Sequence, residues 1–255
     1  MPQKERSIRV EGVIIRHSEF GEADRLLTIL TREVGKVRVI AKGVRKVRSR
    51  KAGHVEPFTR TNLQLARGRD LFVLTQAESV DVYSALRDDL VLLGYASYVI
   101  ELIDRSTTDE EENQLIYNLL IQTLSRLNQR DDPNLSTRYF EIRLLDYIGF
   151  RPQLFACVQC ESEIQPENQF FSANLGGVIC PKCEQRDQKI RPVSMLALKY
   201  MRYFQRNSYQ KASRTSIPAA VYAEMENLLQ YYLTFSLERG LNSPAFLRRV
   251  RPDLK

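Results

Sequence analysis

The chain has no tryptophan, only two histidines and only four cysteines in 255 residues, and each scarcity removes a class of function. With His17 and His54 as the sole imidazoles, and with no G-x-G-x-x-G, Walker A, G-x-S-x-G or H-E-x-x-H pattern, the usual dinucleotide, triphosphate, acyl-transfer and zinc-protease sites have no starting point. Neither histidine has a neighbouring carboxylate motif, so surface or packing roles are expected for both. No apolar run approaches the roughly 20 residues that a membrane-spanning helix requires. The opening Met-Pro-Gln-Lys-Glu-Arg lacks the apolar core of a secretory signal, so a reducing cytoplasm is the expected compartment.

Acidic residues are missing where basic ones are densest. Between Lys36 and Lys51, half of the sixteen residues are Lys or Arg and none is Asp or Glu. Residues 1–80 hold 17 basic and 9 acidic side chains, a net of +8, so the whole excess of the +7 chain lies in this part. A broad basic surface of this kind gains affinity for a polyanion by releasing condensed counterions, which makes nucleic acid the expected ligand.

All four cysteines fall in one window as Cys157-Val-Gln-Cys160 and Cys180-Pro-Lys-Cys183, separated by nineteen residues. Two C-x-x-C turns at this spacing point four thiolates at one ion, which is the pattern of a structural zinc site. Four thiolates leave no open coordination position, so zinc catalysis is disfavoured. Between the pairs, Gln169-Phe170-Phe171 and Val178-Ile179 flank Asn174-Leu175-Gly176-Gly177, which predicts a hairpin and hence a zinc ribbon. Lys182, Arg186 and Lys189 lie close in sequence to offset the negative charge of the complex.

Short β segments are predicted at Val10–His17, Leu26–Thr31, Lys36–Ala41, Phe58–Ala66 and Leu71–Val80. Five strands in about 80 residues fit an oligonucleotide/oligosaccharide-binding (OB) barrel better than a sandwich, which needs about seven. The basic run then connects strands 3 and 4, and with the loops Ser18–Asp24 and Gly68-Arg69-Asp70 as its counterparts, Arg25, Arg67 and Arg69 are expected to border the same face. From Val82 the apolar period becomes helical, through Leu86, Leu90, Leu93, Ile100 and Ile103. Leu115–Leu127, Tyr139–Ile148, Ser194–Phe204 and Tyr222–Leu237 repeat it, with Gly149 and Gly240 as stops. Asp109 and Glu110 to Glu112 are assigned to the first turn of a helix, where they favour its dipole. The expected fold class is α+β multidomain: a five-stranded OB-fold β-barrel in residues 1–80, an α-helical domain in 81–255, and a four-cysteine zinc ribbon inserted at 154–190.

The basic candidates for a nucleic-acid interface are Arg25, Lys36, Arg38, Lys42, Arg45, Lys46, Arg48, Arg50, Lys51, Arg67 and Arg69. Aromatic platforms are few, since residues 1–80 contain only Phe20, Phe58 and Phe72, of which at least two are expected in the core. Affinity is therefore expected to be mainly electrostatic, holding strands by phosphate while leaving base edges free, as annealing needs. Composition alone leaves an RNA-binding barrel protein and a metal-dependent nuclease open as alternatives.

Gly12-Val-Ile-Ile-Arg16, Glu19-Phe-Gly-Glu-Ala-Asp-Arg25, Leu26–Thr31, Gly35-Lys36, and Ala41-Lys-Gly-Val-Arg45 with Ser49 and Arg50 resemble the N-terminal signature of the bacterial RecO recombination and repair family. The segment Arg138–Phe150, the four-cysteine insertion and the terminal Leu241-Asn-Ser-Pro-Ala-Phe-Leu-Arg248 resemble the same family, in its zinc-containing branch. The resemblance implies DNA repair by a non-enzymatic mediator that binds single- and double-stranded DNA and anneals complementary strands. It implies, with the partner RecR, loading of RecA onto DNA coated by single-strand-binding protein, in the cytoplasm at the nucleoid. It also implies recognition of that coat protein's acidic C-terminal tail by the helical domain. Arg138 and Lys199, each bordering a hydrophobic helix, are the candidate cations for the tail's terminal carboxylate.

Overall fold

The structure is a computed structural model that describes residues 7–186 and 190–251, the side chains of 185 and 186 excepted. Cα packing divides the chain into two compact units, Met1–Arg130 with Ser243–Lys255, and Asp131–Asn242.

The first unit is built on β1 (Ser7–Phe20), β2 (Asp24–Thr31), β3 (Gly35–Ala41), β4 (Arg60–Arg67) and β5 (Phe72–Asp81). They close into a barrel in the order β1-β2-β3-β5-β4, antiparallel throughout except for the parallel pairing of β3 with β5. This is the five-stranded OB-type barrel that the strand pattern predicts. Strand alternation sends Val10, Ile14, Leu27, Ile29, Val37, Val39, Leu63, Leu65, Phe72 and Leu74 inward to one apolar core. The fourteen-residue β1 serves two neighbours, its first half pairing with β4 and its second with β2. A bulge between Ile14 and Arg16 lets it bend from one to the other.

Helices α1 (Ala85–Asp88), α2 (Leu90–Ser106) and α3 (Gln114–Asn128) belong to the same unit. Asp89 caps α2 by accepting from the amides of Val91 and Leu92, and Asn113 caps α3 through Ile116. Residues 109–112 therefore precede α3, and none of them lies in its first turn. Their backbone pairs with β3 instead: Glu110 N–H donates to the Lys36 carbonyl at 2.8 Å, and Asp109 forms a parallel bridge with Lys36. The segment extends the barrel alongside β3. It comes so close that a Cβ on Gly35, whose φ is +71°, would sit 2.0 Å from the Glu111 carbonyl oxygen. Further on, α8 (Ser243–Val250) returns to pack on α2 over Gly94, where a Cβ would meet Leu247 at 2.9 Å.

The second unit contains α4 (Pro133–Tyr147), α5 (Met195–Arg206), α6 (Tyr209–Ala212) and α7 (Ala219–Ser236). Asp132 caps α4 ahead of Pro133 at its first turn, and Ser194 caps α5 through Ala197. Between α4 and α5 stands a three-stranded sheet in the order β7-β6-β8, formed by β6 (Gln169–Ser172), β7 (Gly177–Ile179) and β8 (Ile190–Val193). The β6–β7 hairpin is the one expected between the cysteine pairs. The third strand, β8, carries Pro192 at the sheet's edge, where a missing N–H costs nothing. No helix among the described residues is long and apolar enough to cross a membrane.

Candidate nucleic-acid interface and metal centre

The loop after β3 is positioned by hydrogen bonds to the β1–β2 hairpin. Gly43 N–H donates to Asp24 Oδ1 at 2.7 Å, and Arg45 N–H donates to the Ala23 carbonyl at 2.9 Å. The Arg45 guanidinium completes the joint, reaching Glu19 at 2.9 Å and the carbonyls of Gly21 and Glu22 at 3.5 and 3.2 Å. From that root the loop projects Lys42, Lys46, Arg48 and Arg50 into solvent, and among the described residues none of the four has an ion-pair partner. Such cations keep their full charge for an incoming polyanion.

A second group lies at the β3–β5 seam, where Arg38, Arg67 and Arg69 line a cleft of about 210 Å³ together with Asp70, Asp109 and Glu110. All three arginines are exposed. Arg67 stacks its guanidinium 5.4 Å from the centroid of the Phe72 ring, which fixes its direction.

Other basic candidates are spent inside the fold. Lys36 is 8% exposed; its Nζ donates to the Asp104 carbonyl at 2.7 Å and lies 3.4 Å from the Asp104 carboxylate and 3.9 Å from Asp109. It is a latch within the unit, not a phosphate contact. Arg25 is half-buried and held by Glu56 at 2.7 Å, and Lys51 donates to the Leu74 carbonyl at 3.2 Å. Arg45, as described, shapes the loop more than it presents a charge. Spacing could not reveal these pairings because each partner is distant in sequence.

Arg16, which is not among the basic candidates named above, is exposed and lies 3.9 Å from the Asp104 carboxylate. The β1 bulge sets its register opposite Thr28, itself opposite Arg38, so Arg16 and Arg38 share the outward row of the barrel wall. Of the histidines, His54 Nδ1 is 2.8 Å from Ser79 Oγ and accepts from the Ser79 amide, and His17 is half-buried with a carboxylate that the sequence did not show, Glu56, at 3.9 Å. Phe58 and Phe72 are core residues, whereas Phe20 is 49% exposed.

In the second unit the four Sγ atoms of Cys157, Cys160, Cys180 and Cys183 lie within 4.8 Å of one another, close enough to hold one metal ion. Cys160 and Cys180 are 3.8 Å apart. Four sulfurs at about 2.3 Å from a tetrahedral ion have edges of about 3.8 Å, so the observed edge fits. Each knuckle is closed by its own backbone, Cys183 N–H to the Cys180 carbonyl at 2.9 Å and Glu161 N–H to the Cys157 carbonyl at 2.8 Å. The Cys180 amide also donates to Cys157 Sγ at 3.4 Å, joining the two halves. The hydroxyl and amide of Ser162 lower the Cys160 thiol to about 6, while burial pushes the Cys183 thiol up to about 12. Of the cations expected to offset this charge, Lys182 is exposed, and Lys189 and the Arg186 side chain lie outside the described residues.

The two candidates for an acidic tail fare differently. Arg138 is 1% exposed within α4, with Nε 3.0 Å from Glu141 and Nη1 3.9 Å from Glu226 of α7. Its charge is neutralised in the core, and a carboxylate from solvent cannot reach it. Only Lys199, on α5, is exposed.

Residues 6–83 match the family model described as Recombination protein O N terminal, and residues 87–245 match Recombination protein O C terminal. The chain is 43% identical over 252 residues to the DNA repair protein RecO of Roseiflexus sp. (strain RS-1), covering 99% of this chain and 89% of that one. It is 36% identical over 245 residues to the DNA repair protein RecO of Symbiobacterium thermophilum, covering 95% and 97%. With the protein of the same description from Desulforudis audaxviator it shares 37% over 243 residues, covering 95% and 96%.

Proposed function

The chain belongs to the RecO family of DNA repair proteins, and from that premise we propose that it is a non-enzymatic recombination mediator that binds DNA through its barrel. The observation that carries this reading is the set of exposed cations that have no ion-pair partner among the described residues, Lys42, Lys46, Arg48 and Arg50 on the loop and Arg38, Arg67 and Arg69 on the β3–β5 cleft. Their chemistry suits phosphate, and phosphate contacts position a strand without reading or covering its base edges. A strand held in this way stays open to pairing. Neutralising several phosphates also removes the repulsion between two strands, so complementary strands meet and anneal on the protein.

In this reading single- and double-stranded DNA both bind. RecR and the acidic tail of single-strand-binding protein dock on the helical part, and RecA is loaded as the coat protein is displaced. Lys199 remains a candidate for the tail's carboxylate. The four thiolates hold one Zn²⁺, whose role is to fix the ribbon; with every coordination position filled by sulfur it presents no bound water for chemistry.

The test is annealing of complementary labelled strands, bare or coated with the cognate single-strand-binding protein. Duplex formation without nucleotide, lost in a variant carrying Lys46→Ala, Arg48→Ala and Arg50→Ala, is the expected result. Shortening of the strands in the presence of Mg²⁺ or Mn²⁺ would make the protein a nuclease, and preferential binding of RNA at equal salt would assign it to RNA.

A further inference from the structure

The register of the first three strands sorts the outward side chains of the barrel wall into rows. Arg16 stands opposite Thr28, and Thr28 opposite Arg38. The next row is Ser18, Leu26 and Ile40, continued by Val73, which pairs with Ile40 across the parallel β3–β5 contact. The row after that brings Phe20 opposite Asp24. Directly opposed side chains of an antiparallel pair share one face with their Cβ atoms about 5 Å apart. Asp24 is the residue that accepts from Gly43 at the root of the basic loop. Phe20 therefore stands where the hairpin meets the start of that loop.

This wall has the composition of a surface for an unpaired strand. Arg16 and Arg38 lie at one end, a half-buried apolar row of Leu26, Ile40 and Val73 crosses the middle, and an exposed phenyl ring stands at the other end, on the hairpin that anchors the basic loop. A solitary exposed aromatic residue is ordinary on a protein surface. Phe20 differs because four hydrogen bonds and an ion pair tie its hairpin to the most basic loop of the chain. Held in that way, the backbone that carries the ring does not have to be ordered anew when a base arrives.

We propose that Phe20 is a stacking platform for one unpaired base, with the apolar row beside it accepting the neighbouring nucleotide, so that the barrel wall discriminates single strands from duplex. This inference rests on the DNA-binding reading above and adds to it a contact that phosphate chemistry does not supply. A duplex offers no unstacked base face except at its ends, so its affinity draws on the cations alone. Once the bound base pairs with an incoming complement it leaves the ring, which directs release toward the annealed product.

The chain's lack of tryptophan supplies the experiment. Phe20→Trp in the full chain introduces a single indole emitter at an exposed position, titrated with a single strand, an abasic strand of equal phosphate count, and a duplex, while anisotropy of labelled DNA reports binding. The expected result is quenching by the single strand and none by the abasic strand or the duplex interior. Phe20→Ala is expected to weaken single-strand binding by about 5- to 150-fold, with abasic-strand affinity and the salt slope unchanged. Wild-type affinity in Phe20→Ala, or equal emission with normal and abasic strands at saturation, overturns the stacking role and leaves electrostatic binding intact. Failure of the wild type to bind any of the three DNAs overturns both readings.

Discussion

Replacing Lys36 with methionine separates a charge that holds the fold from charges that hold a ligand. Methionine keeps the length of the aliphatic stem and deletes the ammonium. In the structure that ammonium donates to the Asp104 carbonyl at 2.7 Å and faces the Asp104 carboxylate at 3.4 Å, with 11% of the side chain exposed. A charge-assisted hydrogen bond at a site of this burial is worth about 1.5–3 kcal/mol. The Asp109 contact adds little, since it spans 3.9 Å to a carboxylate that is 59% exposed. Relief from desolvating the ammonium offsets part of the loss. The net expectation is a destabilisation of about 2 kcal/mol from these terms. Urea unfolding followed by far-UV circular dichroism measures it, and the salt dependence of single-strand binding is measured on the same preparations. Lys46→Met is the control, expected to change stability by no more than about 0.5 kcal/mol while lowering the log–log salt slope by about 0.7. The latch assignment is refuted if Lys36→Met leaves stability unchanged and lowers the slope as Lys46→Met does.

Gly35→Ala places a methyl group 2.0 Å from the Glu111 carbonyl at a φ of +71°. It is expected to cost about 2–4 kcal/mol in the same unfolding assay, and wild-type stability would mean that residues 109–112 do not lie against β3. Cys157→Ser removes one of four thiolates and is expected to abolish stoichiometric zinc in elemental analysis and to open the ribbon to amide hydrogen exchange; full zinc content would contradict the four-sulfur site. Burial raises the Tyr83 hydroxyl to about 12, with Asp81 adding to the effect, and raises Tyr117 and Tyr222 as well. An unfolded tyrosine loses its proton near pH 10, so these groups support stability in full below about pH 10 and lose that contribution as pH rises toward their folded values. An unfolding midpoint independent of pH between about 9 and 11.5 would contradict their burial.

The barrel was legible because strand alternation is a local signal: all five predicted segments fall on β1 to β5, and the apolar residues of Leu27–Ile29 and Val37–Val39 face one core. The four-cysteine cluster was legible for a similar reason, since the C-x-x-C pairs and the hairpin between them are spelled out within 27 residues. What sequence could not give is which charges are already paired. Lys36 and Arg48 look alike in a charge count, yet one finds Asp104 and Asp109 far along the chain and the other faces solvent. Arg138 misled in the same way, because Glu226, one of its acidic partners, is 88 residues away on α7. The acids at 109–112 follow helix chemistry in sequence, but their backbone is claimed by β3 before α3 begins. Arg16 and Phe20 were hidden by the bulge in β1, which changes the facing of every later residue of that strand without a mark in the sequence.

The central claim is that exposed cations of the β3–β4 loop hold nucleic acid. The most direct measurement is the salt dependence of single-strand binding for wild type and for the variant carrying Lys46→Ala, Arg48→Ala and Arg50→Ala. The claim predicts that the log–log slope falls by about 2, at about 0.7 per lost phosphate contact, with unfolding unchanged because none of the three has an ion-pair partner among the described residues. An unchanged slope in a folded variant would remove the loop from the interface and contradict the account.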